Sequence, residues 1–199
     1  DPSPRPGFDY WVSFPGQGKN IDPELYEGGK LRKVPGYVTD LLTDRALGFI
    51  RTQRGAARPY ALYLAHKAVH PDAIQKSDGS LDTSFGTRYI AAPRHRGQYQ
   101  KEIFPRSRIA KSPAEAAIGR GMVRLVLERK SSDAVVREFG DMLDPGTSEQ
   151  SIRDRAEMIL SVDEGLGRIL TELEESGTID DTAIIFTSDN GFFFGEHGL

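Results

Sequence analysis

Two short apolar runs constrain the fold of this chain more than any other feature of its sequence. Residues 60–65 read Tyr-Ala-Leu-Tyr-Leu-Ala, and residues 182–187 read Thr-Ala-Ile-Ile-Phe-Thr. Continuous apolar runs of this length are typical of strands that are buried on both faces, as in a parallel sheet. A predicted helix precedes each run. This alternation of helices and buried strands predicts an α/β protein with a mainly parallel sheet.

The first helix is predicted from the spacing of apolar residues after residue 37. Apolar side chains recur on one helical face from Val38 to Ile50, and Thr39 or Asp40 is a suitable capping residue. The pattern is that of an amphipathic helix that packs one face against a core.

The second helix is longer and is predicted from about Ser148 to Ser176. Its apolar residues keep a period of about 3.6, and Gly177 lies where a C-terminal glycine belongs. Residues 113–143 also have helical character, interrupted by Gly119 and Gly121. Residues 1–36 are rich in proline and glycine, and we predict an irregular surface segment anchored by aromatic side chains.

Composition narrows the classes of function. The 26 basic and 29 acidic residues leave a net charge of −3, which gives no indication of nucleic-acid binding. No stretch approaches the roughly 18 consecutive apolar residues of a membrane-spanning helix. The chain has no cysteine, which excludes disulfides, thiolate zinc sites and a cysteine nucleophile within it.

Positive charge is concentrated in residues 88–111, which contain seven basic side chains and one acidic one. A solvated loop is the simplest interpretation. A groove for a sulfated or phosphorylated sugar is the alternative, because guanidinium groups pair with anions and the aromatic rings of this segment could stack on a sugar. Both interpretations remain open from the sequence.

Polar side chains follow the second apolar run directly. Asp189 and Asn190 offer a carboxylate and an amide oxygen, and Gly191 allows the backbone to turn sharply. In α/β sheets ligands bind beyond the carboxyl ends of the strands, and oxygen ligands of this kind suit calcium or magnesium. An Asx turn without a metal is the alternative interpretation.

The first apolar run is followed by His66, Lys67 and His70. A histidine at this position can donate to an anionic oxygen or protonate a leaving group, and a lysine can hold negative charge. The alternative is a structural histidine at His66 and a solvated side chain at Lys67.

Six segments, in order along the whole chain, carry a resemblance to a known family. They are Gly7-Phe8-Asp9-Tyr10-Trp11, Phe14-Pro15-Gly16-Gln17-Gly18, Gly36-Tyr37 with Thr39-Asp40 and Thr43-Asp44, residues 62–70, Ala92-Pro93-Arg94-His95 with Tyr99, and residues 187–191 with Gly195-Glu196-His197-Gly198. The set resembles the type I, formylglycine-dependent sulfatases, and is most similar to their carbohydrate sulfatases.

The resemblance implies an alkaline phosphatase-like α/β fold, with a mainly parallel sheet and helices on both faces. It implies hydrolysis of sulfate esters by a formylglycine, made from cysteine or serine, beside a bound calcium ion. The implied substrate is a sulfated carbohydrate. It also implies an exported protein (periplasmic, extracellular or lysosomal), because such enzymes usually act on polymers outside the cytoplasm.

The resemblance also implies site residues. Asp189 and Asn190 match the family's second pair of calcium ligands. His70 matches the histidine that contacts the sulfate and assists the leaving oxygen, so it is the expected catalytic residue. Three further residues lie in matching segments and are the expected substrate-binding residues: Lys67, His95 and His197.

The chain departs from the family pattern at the nucleophile. The motif Cys/Ser-x-Pro-x-Arg is absent, and the opening Ser3-Pro4-Arg5 lacks its spacing. The early acidic calcium ligands, the upstream lysine and histidine and the later sulfate-contacting lysine are absent too. We therefore expect residues 1–199 to be the central part of a single sulfatase domain, with an incomplete sheet and a nucleophile that lies outside this chain.

Two other functions remain open. A phosphodiesterase or phosphonate hydrolase of the same superfamily is one, although those enzymes usually carry Asp-His where this chain has Asp189-Asn190. A non-catalytic module that binds sulfated glycans is the other, consistent with the absent nucleophile motif and with the basic residues 88–111.

Overall fold

A computed structural model describes residues 5–72, 74–75, 81–82, 89–105, 148–192 and 194. Its two long helices are α1, Val38–Thr52, and α2, Glu149–Glu175. Its strands are β1, Val12–Ser13; β2, Glu24–Glu27; β3, Lys30–Lys33; β4, Ile74–Gln75; and β5, Leu81–Asp82. A 3₁₀ helix follows α2 at Ile179–Asp181.

The first three strands form an antiparallel sheet in the order β1-β2-β3, with Leu25 opposite Arg32. Gly28 and Gly29 connect β2 to β3 with φ angles of +56° and +74°, the left-handed conformation that a tight hairpin turn needs at both positions. The prediction of an irregular segment over residues 1–36 is therefore wrong for residues 12–13 and 24–33. A Gly-Gly pair between two short runs with β-forming residues was the overlooked signal.

Helix α1 is confirmed, but its predicted cap is wrong. The N-cap residue is Tyr37, which has an extended backbone and makes no capping side-chain bond, and Thr39 and Asp40 lie inside the first turn. The backbone N–H of Val38 donates to the carbonyl of Asn20 at 2.8 Å. Because this tertiary bond satisfies a free N–H at the helix start, a capping side chain is not needed there.

Helix α2 is confirmed within one residue at each end. Ser148 caps it, since its hydroxyl accepts a hydrogen bond from the backbone N–H of Ser151 at 3.1 Å. Beyond the C-cap, Gly177 has a φ of +68°, which a glycine adopts without strain.

The described core lies where α1 packs against α2. Its fully or almost fully buried apolar side chains include Val38, Leu42, Ala46, Leu47, Ile50, Ile152, Met158, Val162 and Leu173. The helices approach closely at Gly165, where a Cβ atom would lie 2.5 Å from the hydroxyl oxygen of Thr43. Glu172 of α2 accepts hydrogen bonds from Arg51, at 2.7 Å, and from Arg54.

Neither apolar run forms a strand in the part of the chain that the structure describes. Tyr63 is 79% exposed and Ile185 is 87% exposed, so the prediction of burial on both faces is wrong for these residues. A strand buried on both faces needs paired strands at its edges and helices over its faces. The described residues pair no strand with residues 60–65 or 182–187. The helical prediction for residues 113–143 lies outside the described residues.

A search of the described residues finds no helix with the length and apolar character needed to cross a bilayer.

Candidate functional site

The polar residues after the first apolar run fold around the carbonyl of Pro71. Lys67 Nζ donates to this oxygen at 2.7 Å, and His70 Nδ1 lies 2.9 Å from it. Because a carbonyl oxygen only accepts hydrogen bonds, His70 Nδ1 carries the proton and donates. Nε2 of His70 is therefore the ring nitrogen that can meet a substrate, and the residue itself is exposed.

Lys67 is almost fully buried, with 6% of its surface exposed. The alternative interpretation of a solvated lysine is therefore wrong. Burial lowers its pKa from 10.5 to about 8, and the nearby Asp72 carboxylate acts in the opposite direction. At neutral pH most Lys67 side chains still carry a positive charge next to His70.

Asp72 is held in place by the buried Asn20, a contact that the sequence did not predict. One carboxylate oxygen of Asp72 accepts from the Asn20 backbone N–H at 2.8 Å and from its side-chain amide at 2.7 Å. Asn20 has no exposed surface. The only sequence signal was an acidic residue directly after His70-Pro71.

His70 and Asp189 follow different apolar runs, yet the charge of Asp189 acts on the His70 ring. Desolvation has the largest effect on the His70 pKa and lowers it. The Pro71 hydrogen bond, Asp189 and Asp72 raise that pKa, while Lys67 lowers it further. A carboxylate that influences the imidazole in this way lies within electrostatic reach of it.

Asp189 and Asn190 are both exposed. The Ser188 hydroxyl donates to the Asn190 backbone carbonyl at 2.6 Å, which is a local turn contact. Within the described residues, no hydrogen bond engages the side-chain oxygens of Asp189 or Asn190. Their hard oxygen atoms fit calcium in chemical type.

Two ligands are fewer than the six to eight oxygens that calcium takes. The described part of the chain contains no group of three or more histidine, cysteine, aspartate or glutamate side chains that could hold a metal ion. Asp189 and Asn190 therefore form at most part of a calcium site.

His95 is buried, with 4% of its surface exposed, and its ring nitrogens face protein groups. Nδ1 lies 3.2 Å from the Gln98 amide, and Nε2 lies 3.2 Å from a carboxylate oxygen of Glu164. Neighbouring Arg94 donates to both Asp40 oxygens, at 2.7 and 2.8 Å, and to Glu164 at 2.5 Å. These contacts join α1 to α2, so Arg94, a central member of the basic segment, is already paired within the protein.

His66 lies between the apolar run and Lys67. Desolvation lowers its pKa, opposed by Asp40, so the ring is mainly neutral at neutral pH. Its buried Nδ1 has no hydrogen-bond partner among the described residues. His197 lies outside the described residues, and its assignment to substrate binding stays a prediction.

Comparison with known proteins gives a family match over almost the whole chain. A protein-family model described as "Sulfatase" matches residues 2–199. N-acetylglucosamine-6-O-sulfatase from Bacteroides thetaiotaomicron is 28% identical over 96% of this chain and 40% of that protein. The multifunctional alkaline phosphatase superfamily protein PehA from Trinickia caryophylli is 30% identical over 96% of this chain and 34% of that protein.

A solved structure is also similar. The structure of BT4656 in complex with its substrate, D-glucosamine-2-N,6-O-disulfate, matches with a TM-score of 0.66 and 26% identity. The match covers 98% of this chain and 46% of BT4656. The chain thus spans less than half the length of each of these relatives.

Proposed function

This chain belongs to the sulfatase family, and on that premise we propose that the whole protein is a sulfuric ester hydrolase that removes sulfate from a carbohydrate. The match to the BT4656 structure confirms the predicted alkaline phosphatase-like fold class. The family match over residues 2–199 supports a single catalytic domain.

The observation that carries this proposal is the approach of Asp189 to His70. The charge of Asp189, one residue of the expected metal pair, acts on His70, the expected acid, and raises its pKa. Hydrolysis of a sulfate ester needs both functions, because negative charge lies on the sulfate and develops on the leaving oxygen.

His70 would donate the proton to the leaving oxygen from Nε2. The Pro71 carbonyl fixes the ring through Nδ1 at 2.9 Å, which leaves Nε2–H directed away from that bond in the protonated ring. The buried ammonium of Lys67, held at 2.7 Å from the same carbonyl, adds positive charge that favours an anionic substrate.

Asp189 and Asn190 would hold part of the calcium site through their side-chain oxygens. Calcium, when bound, stabilises negative charge on the sulfate oxygens. The formylglycine nucleophile is proposed to lie outside residues 1–199, which contain no cysteine.

The relatives guide the choice of substrate. One is an N-acetylglucosamine-6-O-sulfatase, and BT4656 was solved with a glucosamine disulfate. We therefore propose a sulfated amino sugar as the substrate class. Sulfated glycans occur mostly outside the cytoplasm, and this supports an exported enzyme.

The complete protein tests this function through release of sulfate from 6-O-sulfated N-acetylglucosamine, with an aryl phosphodiester and a phosphonate ester measured in parallel. We expect sulfate release with calcium present. Faster cleavage of the phosphorus esters would favour the superfamily alternative, which the similarity to PehA keeps relevant. Binding of the sulfated sugar without turnover would favour a non-catalytic glycan-binding module.

A further inference from the structure

A buried arginine on α2 lies among three aromatic rings. Arg155 is 5% exposed. Its guanidinium carbon lies 3.6 Å from the centroid of the Phe192 ring, 4.2 Å from that of Tyr89 and 5.2 Å from that of Phe194. It also donates a hydrogen bond to the Tyr89 hydroxyl.

Burying a guanidinium group is costly unless its charge is balanced. Among the described residues, aromatic rings lie against Arg155, and their faces attract a guanidinium charge. Removing the Phe192 ring would take away one of the groups that stabilise this buried charge.

Phe192 follows Asn190 by two residues, so the contact lies directly beyond the metal pair. The hydrogen bonds recorded for residues 183–190 in the described chain are local, such as those from Thr187 to Ser188 and from Ser188 to Asn190. These local hydrogen bonds do not attach residues 183–190 to a helix. The contact of the Phe192 ring with Arg155 attaches the end of this segment to α2.

Helix α2, which carries Arg155, is itself held by contacts with other parts of the chain. Glu157, two residues after Arg155, accepts from the backbone N–H of Tyr99 at 3.0 Å. Further along α2, the buried Glu172 forms ion pairs with Arg51, in the last turn of α1, and with Arg54, just after α1. Arg155 therefore connects the segment of the metal pair to a helix that packs against α1.

We propose that Arg155 is a positioning residue for the calcium pair: it holds Phe192 against α2 and thereby sets where Asp189 and Asn190 stand relative to His70. The proposal rests on the calcium role given to Asp189 and Asn190 in the proposed function. The role assigned to Arg155 acts through Phe192 and not through contact with the substrate or the ion.

The test is the calcium dissociation constant of the complete protein, measured by isothermal titration calorimetry without substrate. Arg155→Met removes the charge, and Arg155→Lys keeps it without the planar group that stacks on rings. Loss of a group that orients metal ligands typically weakens affinity by about 10- to 100-fold, and we expect this for Arg155→Met and a smaller loss for Arg155→Lys. Arg168→Met is the matched control, because Arg168 lies on the same helix and pairs with Asp44 on the surface.

A second readout separates positioning from general stability. Hydrogen exchange of residues 188–192 is expected to increase in Arg155→Met, with the amides of α1 unchanged. If Arg155→Met fails to fold, Phe192→Leu takes its place, because Phe192 is 51% exposed and its ring is the other half of the contact.

Folded Arg155→Met or Phe192→Leu with wild-type calcium affinity would overturn the inference, as would an equal loss in Arg168→Met. The variant Asp189→Ala separates the positioning role of Arg155 from the calcium role of Asp189. If Asp189→Ala weakens calcium binding and Arg155→Met does not, only the role of Arg155 fails. If Asp189→Ala binds calcium like the wild type, the metal assignment fails, and the positioning role fails with it.

Discussion

The carboxylate of Asp189 lies within electrostatic reach of the His70 imidazole. Desolvation of the ring is the largest influence on the His70 pKa and lowers it, and Asp189 acts in the opposite direction. The two residues follow different apolar runs, so only the folded chain brings them together. In the proposed function Asp189 is a calcium ligand and His70 the proton donor, so the charge of the one acts on the titration of the other.

The proposed acid role of His70 predicts that its replacement slows sulfate-ester hydrolysis to an extent that depends on the leaving group. In the complete protein, His70→Ala is expected to slow hydrolysis of sugar sulfates by about 10²- to 10⁴-fold, the usual contribution of a positioned acid. The loss should shrink for sulfate esters of acidic phenols, because these leaving groups need little protonation. The measurement is kcat across a series of esters, and an equal loss throughout would instead indicate that His70 binds the sulfate.

The burial of Lys67 predicts that the free energy of unfolding rises with pH in the alkaline range. Burial lowers its pKa in the folded chain from 10.5 to about 8. Between these values the unfolded chain binds more protons, so the free energy of unfolding rises with pH. Each pKa unit corresponds to about 1.4 kcal/mol, so the rise across this window is roughly 3 kcal/mol.

Lys67→Met should remove this rise, as measured by denaturant unfolding of the complete protein from pH 8 to 10.5. Lys30→Met, at an exposed position on β3, is the control and should keep the wild-type slope. Parallel curves for Lys67→Met and the wild type would show that the Lys67 pKa is not lowered by folding.

The crossing of α1 and α2 predicts opposite effects at two glycines of one helix. A methyl group at Gly165 would lie 2.5 Å from Thr43 Oγ1, whereas a methyl group at Gly167 would meet nothing within 4 Å. Gly165→Ala is therefore expected to destabilise the protein by about 1–3 kcal/mol through overpacking. Gly167→Ala should be neutral or stabilising by up to about 1 kcal/mol, because alanine favours helix.

Thermal and denaturant unfolding of both variants test this difference. Thr43→Ala removes the atoms that oppose the methyl group, so it should recover part of the stability lost in Gly165→Ala. Equal effects of the two glycine substitutions would mean that the helices do not approach at Gly165.

Elements whose ends are marked by nearby residues, such as a capping serine or a C-terminal glycine, could be predicted from the sequence. Helix α2 has a capping serine at Ser148 and a glycine at Gly177, and its bounds were predicted within a residue. The cap of α1 was not, because the backbone N–H of Val38 donates to the carbonyl of Asn20, which is distant along the chain. The β2–β3 hairpin had a local signal in Gly28-Gly29 that was overlooked.

The sequence proposes residues for the candidate site, whose roles stay a prediction, but it does not reveal the residues that hold them in place. His70, Asp189 and Asn190 were identified from polar residues after apolar runs and from the family resemblance. Asn20 and Arg155 were not, because a buried amide that fixes a carboxylate and a buried guanidinium that holds a ring are long-range contacts. Periodicity and short motifs carry no information about such contacts.

The most direct test of the whole account is the calcium dependence of sulfate release by the complete protein. After chelation, the wild type should lose activity on 6-O-sulfated N-acetylglucosamine and regain it as calcium is added back. Asp189→Ala should need at least about tenfold more free calcium, the equivalent of 1.4 kcal/mol, for half of its own maximal rate. Asp180→Ala, at an exposed position of the 3₁₀ helix, should titrate like the wild type. Identical calcium curves for Asp189→Ala and the wild type, or sulfate release that survives chelation unchanged, would contradict a calcium-dependent sulfatase site built on Asp189.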